Sequence, residues 1–421
     1  MKILLVTRGS QGDVYPYLAL AVELVKRGHE ITLSIPRLFE DQAKAIGVNY
    51  FTQSFDDIAG MVEGSPGTRE LLAWTARVVD SQFAEIIPVL ENNDLLICSN
   101  TEFASPHIAE YCGKPHIRTS YAPLMPGKRI PPAVFPFLNP PRVFIGFQWK
   151  LLNAGLNMMV KKVLNKNRVR LNMEPIKDQG EYAPANAHNH MMYSQYLGEA
   201  DPDWKYEWSI GGYCFNDIFP YNEIAYKNFM DFVKKDSRPT VFFTLGSCNA
   251  AQRDAFCERL FEICCEQNYK LVVGCGWWKV GAHLHNQDNL FLLDSAIPHY
   301  LILSECNAII HHGGSGTTHS SARAGRPQMV IPLIIDQFYW GSRVGDLELG
   351  PRSIKIGISK KALEKKVLDL VNNPVYRENA AALGKKVRDE ENGIQSMCQF
   401  IERFALENHV GLKTANGRYG Q

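Results

Sequence analysis

Asn307-Ala308-Ile309-Ile310-His311-His312-Gly313-Gly314-Ser315-Gly316-Thr317-Thr318 is the stretch that decides how this chain folds. Its apolar start reads as a buried strand. Thr318 to Ala324 reads as a helix, closed by Gly325 and Pro327. Small residues between a strand and a helix let backbone N–H groups approach an anion, and the helix N-terminus adds a positive field. The turn is therefore expected to seat phosphate. It is not a P-loop, which needs a Lys; it lacks the third Gly of a dinucleotide fingerprint, and Thr317 replaces the last Gly of a nucleophile elbow. His311 and His312 face opposite ways on a strand, so His311 is read as structural.

Outward from this turn, strands and helices alternate. In the second half, strands are expected at Thr240–Ser247, Lys270–Gly274, Asn289–Leu293 and Ala308–Ile310, with a helix over Asp254–Gln267. The first half repeats the pattern. Strand Lys2–Thr7, a Gly-rich turn Arg8–Asp13, helix Pro16–Arg27 and strand Glu30–Ile35 form a β–turn–α–β unit, which implies a parallel sheet. Strands at Asp94–Cys98 and His116–Thr119 flank a helix over Ser105–Cys112. A Pro-rich apolar stretch, Ile130–Pro141, precedes a long helical pattern over Phe147–Leu171. Residues 176–236 read as turn-rich chain leading into a linker, and helices follow at Lys360–Asn372, Tyr376–Glu391 and Gly393–Glu407. The expected fold class is α/β, with two doubly wound, Rossmann-like domains facing each other across a cleft. Residues 1–237 form the first domain with its linker, 238–392 the second, and 393–421 a helix returning to the first domain and a tail. Ligands of such sheets sit beyond the carboxyl ends of the strands, where both Gly-rich turns lie.

Composition narrows the function. The chain has 421 residues, enough for two cores, with 45% hydrophobic and 21% charged residues. A net charge of +1 gives no electrostatic case for nucleic acid. Ten Cys without a C-x-x-C pair, and no signal peptide, point to reduced thiols in the cytoplasm. No apolar run reaches the roughly 20 residues of a membrane span. No His/Cys/carboxylate cluster has metal-ligand spacing, and Asp201-Pro202-Asp203 is set aside because it does not follow a strand.

Several blocks together resemble one family. Ile297-Pro298-His299, the turn from His311 to Thr318, Ala324-Gly325-Arg326-Pro327 and Pro332 through Asp336-Gln337 to Trp340 are similar to inverting, nucleotide-sugar-dependent glycosyltransferases of the GT-B fold. The branch is that of sterol glucosyltransferases and bacterial natural-product glycosyltransferases. Gly9-Ser10-Gln11-Gly12-Asp13-Val14-Tyr15-Pro16 matches the acceptor-side turn, and Thr244-Leu245-Gly246-Ser247 the entry strand of the second domain. The resemblance implies roles. His312, Gly314, Ser315, Gly316 and Thr317 would hold the diphosphate, with Ser247 reaching it from the facing turn. Asp336 and Gln337 would hold sugar hydroxyls, and Ile297 would meet the nucleobase through its backbone. Asp13 would be the general base, oriented by Ser10. A competing reading makes Asp13 the N-cap of a helix beginning at Pro16. No metal or cofactor is implied beyond the nucleotide sugar itself, a UDP-sugar in the sterol-like branch and a TDP-sugar as the alternative. The position eight residues after His312, a ribose-binding Glu in plant enzymes, is Ser320 here.

On the acceptor side, Pro131–Pro141 and the following helix, with Phe135, Phe137, Phe144, Phe147, Trp149 and Met158, read as an apolar wall. Such a wall suits a sterol, terpenoid, polyketide or flavonoid hydroxyl. Lys161, Lys162, Lys166, Arg168 and Arg170 are either a solvated face or a peripheral contact with anionic lipid. His299 and Trp340 are assigned to packing as readily as to ligand, and Trp277-Trp278 to core or cleft. Two rival functions are a GT-B-shaped nucleotide-sugar epimerase and a catalytically silent binding or activating relative.

Overall fold

The computed structural model describes residues 1–55, 68–134, 141–215, 217, 220–295 and 297–411. Strands β1 (Lys2–Val6), β2 (Glu30–Ile35), β3 (Asn49–Thr52), β4 (Leu95–Ser99), β5 (His116–Ser120), β6 (His188–Met191) and β7 (Trp208–Ile210) form a sheet of order β3-β2-β1-β4-β5-β6-β7. Strands β8 (Thr240–Thr244), β9 (Lys270–Gly274), β10 (Leu290–Leu293), β11 (Ala308–His311) and β12 (Gln328–Val330) form a second, of order β10-β9-β8-β11-β12. Every pairing between these strands is parallel. Both sheets are doubly wound, with the strand order reversing at β1 and at β8. Strands such as Leu95–Ser99 and Thr240–Thr244 are buried along their whole length, as expected where helices cover both faces.

The described residues of 176–236 are more than turn-rich chain. They supply β6 and β7, which extend the first sheet by two strands, and the helices Gln179–Ala185 and Glu223–Lys234. The strands hid because β6 is His-Asn-His-Met and β7 only three residues, so neither shows an apolar run. The helix at Phe147–Leu171 is three segments, Arg142–Leu156, a π turn Asn157–Lys161 and Lys162–Arg170. Two helices begin earlier than their apolar periodicity suggests. The first runs Gln11–Lys26 with Pro16 inside it, because Asp13 accepts the Ser10 backbone N–H at 2.8 Å and closes a capping box. Asp13 is thus third in the helix, not its N-cap. The helix after β11 runs Ser315–Ala324, so Ser315, Gly316 and Thr317 form its first turn.

The two sheet units share a core. Ala122, Met125 and Tyr193 of the first pack with Val330, Trp340 and Val344 of the second. His319, fully buried, crosses this seam. Its Nδ1 lies 2.7 Å from the Ser315 carbonyl, and its Nε2 accepts the Ser194 N–H at 3.2 Å, so the ring is neutral with the proton on Nδ1. Tyr213 stacks on it at 4.6 Å and Trp340 meets it edge-on at 4.8 Å. Helix Gly393–Glu407 packs on helix Gln11–Lys26, where Arg27 pairs with Glu402 at 3.0 Å. The two crossings between units touch: Gly212, at φ +80°, lies against Gly393, and a Cβ on Gly393 would come within 2.5 Å of the Tyr213 backbone.

His319→Ala leaves the Ser194 N–H unpaired and a void beneath Tyr213, a loss of about 2–3 kcal/mol. Thermal denaturation is expected to show an apparent melting temperature lower by ~5 °C.

Candidate active site

Three tight turns meet around the His312 ring. A Cβ on Gly246 would come within 2.8 Å of His312 Cε1, one on Gly314 would collide with His312 Nε2, and one on Gly276 would collide with the Gly246 carbonyl. Gly313 has φ +88° and is backed by Val330 and the Gln337 carbonyl, so only glycine fits there. Burial holds the His312 imidazole neutral, its pKa lowered to about 4, with the nearby His299 contributing. The first backbone bond of the following helix is Thr318 N–H to Gly314 O, which leaves the N–H groups of Ser315, Gly316 and Thr317 without helical acceptors. They open beside His312. The Ser315 hydroxyl is 3.3 Å from His319 Nδ1, and Gly316 is closed over by Tyr213, whose Oη would lie 2.8 Å from a Cβ there.

Ser247 lies on the facing turn, its carbonyl accepting Trp278 Nε1 at 2.9 Å. Trp277 packs toward the core of the first unit beside Tyr15 and Tyr121. Gln337 is buried and its amide is already engaged. Oε1 accepts Leu333 N–H at 2.7 Å and Ile334 N–H at 3.1 Å, while Nε2 donates to Cys248 Sγ at 3.1 Å. These bonds hold a strained loop, because Ile335 sits at φ +47°, rare for a β-branched residue. Asp336 follows directly and caps the helix Gln337–Asp346.

Across the cleft, Asp13 Oδ2 accepts the Ser10 N–H at 2.8 Å and the Ser10 hydroxyl at 3.2 Å. Its Oδ1 has no hydrogen bond among the described residues. Gly9, at φ +133°, leaves room for this carboxylate, which any Cβ would strike. Thr7 Oγ1 and Tyr121 Oη donate to the Asp13 carbonyl at 3.1 and 3.0 Å. Burial raises the Asp13 carboxyl above its ordinary value against the lowering effect of Ser10. Asp336 is pushed up to about 7, by burial first and then by the charge of Asp13. Tyr213 and Cys248 also feel both carboxylates, so these four side chains surround one space supplied by both units.

Not every residue singled out from the sequence reaches this space. Ile297 packs its side chain into a core with Phe242 and Ile302. His299 is half-buried, edge-on to Phe242, and Trp340 is fully buried. His311 bonds Gln328 at 2.8 Å and the Gly313 N–H at 3.0 Å. Asp201 accepts the N–H groups of Arg129 and Ile130, which accounts for that Asp-Pro-Asp. The apolar wall is not one surface. Trp149 points inward, bonding the Ile130 carbonyl at 3.0 Å, while Phe144, Phe147 and Met158 are exposed; Phe135 and Phe137 lie outside the described residues. The basic cluster is partly spent, Lys166 on Asp80 and Arg168 on Glu110. Tyr213 and Tyr121 were missed. The aromatic run Tyr213-Cys214-Phe215 after Gly211-Gly212 was the available signal. A cavity of about 440 Å³ lies along the helix Ser315–Ala324, lined by Tyr213, Phe215, Tyr300, Ser304, Ser320 and Arg323 among others. Among the described residues no three His, Cys, Asp or Glu side chains are grouped to hold a metal, all ten cysteines are free, and no helix is long and apolar enough to cross a membrane.

Comparison with known proteins agrees with this geometry. Residues 3–84 match the glycosyltransferase family 28 N-terminal domain, and residues 283–393 the erythromycin biosynthesis protein CIII-like C-terminal domain. Two parts of the chain thus match glycosyltransferase domain models, and the two-sheet architecture is the GT-B fold. A sterol 3-beta-glucosyltransferase of Yarrowia lipolytica is 26% identical over 96% of this chain, and one of Arabidopsis thaliana 25% over 96%. The chain spans 29% of the former and 68% of the latter, and 26% of a UDP-sugar-dependent glycosyltransferase of Dictyostelium discoideum that is 24% identical over 96% of this chain. The glycotransferase of kitacinnamycin superposes with a TM-score of 0.74 at 18% identity, covering 96% of this chain and 98% of its own. The calicheamicin glycosyltransferase CalG4 does so with 0.72 at 17%, covering 97% and 98%. The likeness to these structures speaks to the GT-B fold.

Between about pH 4 and 7 the folded protein holds a proton on Asp336 that the unfolded chain has released. The stability this group contributes is full below pH 4 and lost as pH rises through 7. Asp336→Asn is therefore expected to raise the melting temperature at pH 8 by ~2 °C or more relative to its effect at pH 4.5. An equal effect at both pH values would mean an ordinary carboxylate.

Proposed function

We propose that this GT-B glycosyltransferase moves a sugar, most simply glucose from UDP-glucose, to a hydroxyl of a lipophilic acceptor, with inversion. One observation carries the reading: a carboxylate from each unit enters the same space beside a helix end with three unpaired N–H groups. Residues 1–237 take the acceptor and 238–392 the donor, with the helix Gly393–Glu407 returning to the first part. The names of the sterol 3-beta-glucosyltransferases and the UDP-sugar-dependent relative support a sterol or similar small molecule as acceptor and a UDP-sugar as donor. A terpenoid, polyketide or flavonoid hydroxyl offers the same chemistry.

In the reaction, Asp13 Oδ1 takes the proton of the acceptor hydroxyl while its oxygen bonds to the anomeric carbon. The bond from that carbon to the diphosphate oxygen breaks on the opposite face. Ser10 holds the other carboxylate oxygen, and burial makes Asp13 a stronger base than an exposed Asp. The diphosphate leaves as a dianion onto the N–H groups of Ser315, Gly316 and Thr317, beside neutral His312 and facing Ser247. Asp336 accepts from a sugar hydroxyl. Gln337 positions it by holding the 333–335 loop, with one Nε2 hydrogen left for the sugar. The nucleoside lies toward Ile297, where the cavity along Ser320 adjoins. The positive field comes from the protein, so the reaction needs no metal.

Asp13→Asn is expected to cut kcat by at least ~10²-fold with donor Kd nearly unchanged, measured by calorimetry and single-turnover kinetics. His312→Ala weakens donor binding and turnover together. Mass spectrometry of UDP- and TDP-sugars incubated with hydrophobic alcohols is expected to show an acceptor heavier by one sugar, at the same rate with and without EDTA. Donor epimerised in the absence of acceptor, or no turnover with any pair, would overturn the reading.

A further inference from the structure

The helix Arg142–Leu156 shows solvent an unusual face. Val143 is 79% exposed, Phe144 56%, Phe147 64% and Leu151 52%, and Met158 in the following π turn is 67% exposed. At 100° per residue these positions fall within one stripe about 100° wide. The stripe cannot roll inward, because Ile145, Gln148 and Trp149 are buried on the opposite side and Trp149 Nε1 is bonded to the Ile130 carbonyl. Scattered exposed apolar residues are ordinary, but a contiguous stripe of five marks a contact surface.

Charge says what kind. From 142 to 170 the chain carries Arg142, Lys150, Lys161, Lys162, Lys166, Arg168 and Arg170 and not one Asp or Glu. Lys166 and Arg168 are paired, but Arg142, Lys150, Lys161 and Lys162 make no ion pair among the described residues. At the N-terminal end of the stripe lies a pit of about 450 Å³, lined by Lys128, Arg129, Arg142, Val143, Gly146 and Asp203. Asp203 answers Arg129 at 3.3 Å, leaving Lys128 and Arg142 as uncompensated cations. A second copy of the chain on this face would set like charges against each other. We propose that this stripe and pit dock on an anionic lipid bilayer, with Phe144, Phe147 and Leu151 entering the acyl boundary and Lys128, Arg142 and Lys150 meeting lipid phosphates. The assignment stands independently of the transfer reaction.

Co-sedimentation of the full chain with phosphatidylcholine vesicles, with and without ~30% phosphatidylglycerol, tests it. Binding to the anionic vesicles is expected to exceed binding to neutral ones by at least ~10-fold, since each Lys or Arg near such a surface adds about five-fold. Phe144→Ser with Phe147→Ser should lower anionic-vesicle binding by ~10-fold at an unchanged melting temperature. Arg142→Glu with Lys150→Glu, at exposed positions that folding does not use, should do the same through charge. Equal binding to both vesicle types, no binding, or undiminished binding by both variants would overturn the proposal. So would a dimer, seen by light scattering, that the same substitutions dissolve without any vesicle contact.

Discussion

A neutral imidazole holds the two halves of this molecule in register. His319 donates its Nδ1–H to the Ser315 carbonyl and accepts the Ser194 N–H, so one ring joins the first turn of the helix Ser315–Ala324 to the loop after β6. Protonation would set an Nε2–H against the Ser194 N–H donor, and burial prevents it by lowering the pKa to about 4. Trp340 and Tyr213 clamp the ring from two sides. Through Tyr213 the same contact reaches Gly316 and the space between the carboxylates. Where the open helix end stands relative to Asp13 is thus set by a buried hydrogen-bond pair rather than by the loops that line the cleft.

The electrostatics of that space follow from its contents. Two carboxylates, one from each unit, act on Tyr213 and Cys248, the charge of Asp13 reaches Asp336, and both carboxylates are raised by burial. The protein groups around this space supply little positive charge apart from backbone N–H groups. A partner bearing hydroxyls that donate to Asp336, and a proton that Asp13 can take, relieves the mismatch. A partner bearing negative charge is tolerated only at the helix end. The arrangement therefore sorts a bound molecule end to end before any bond is made.

The doubly wound class and most strands were legible because buried parallel strands are continuous apolar runs, as in Lys2–Val6 and Thr240–Thr244. The strands β6 and β7 were not, because Asn189 and His190 are polar residues buried by tertiary contacts, with the Pro184 carbonyl, Ser209 and the Phe400 ring, that no apolar run announces. Helix starts were misjudged where caps, not periodicity, begin them: Ser10 with Asp13, and Gly314 before Ser315. The turns at Asp13 and His312 announced themselves by residue type. Tyr213 did not, since its place in the cleft is created only by tertiary contact with His319. The engagement of Gln337 by Leu333 and Ile334 was likewise invisible, because it answers a backbone strain at Ile335 that no sequence pattern shows.

The contact between Gly212 and Gly393 acts on the molecule as a single pin. The chain passes between the units twice, and both passages meet where neither has a side chain. Displacement of one unit along the other would drive backbone into backbone there, whereas turning about that point would not. The cleft is thus hung like a door rather than a drawer. Grafting a different second unit onto this scaffold then means cutting at two sites distant in sequence but adjacent in space, and keeping glycine at both.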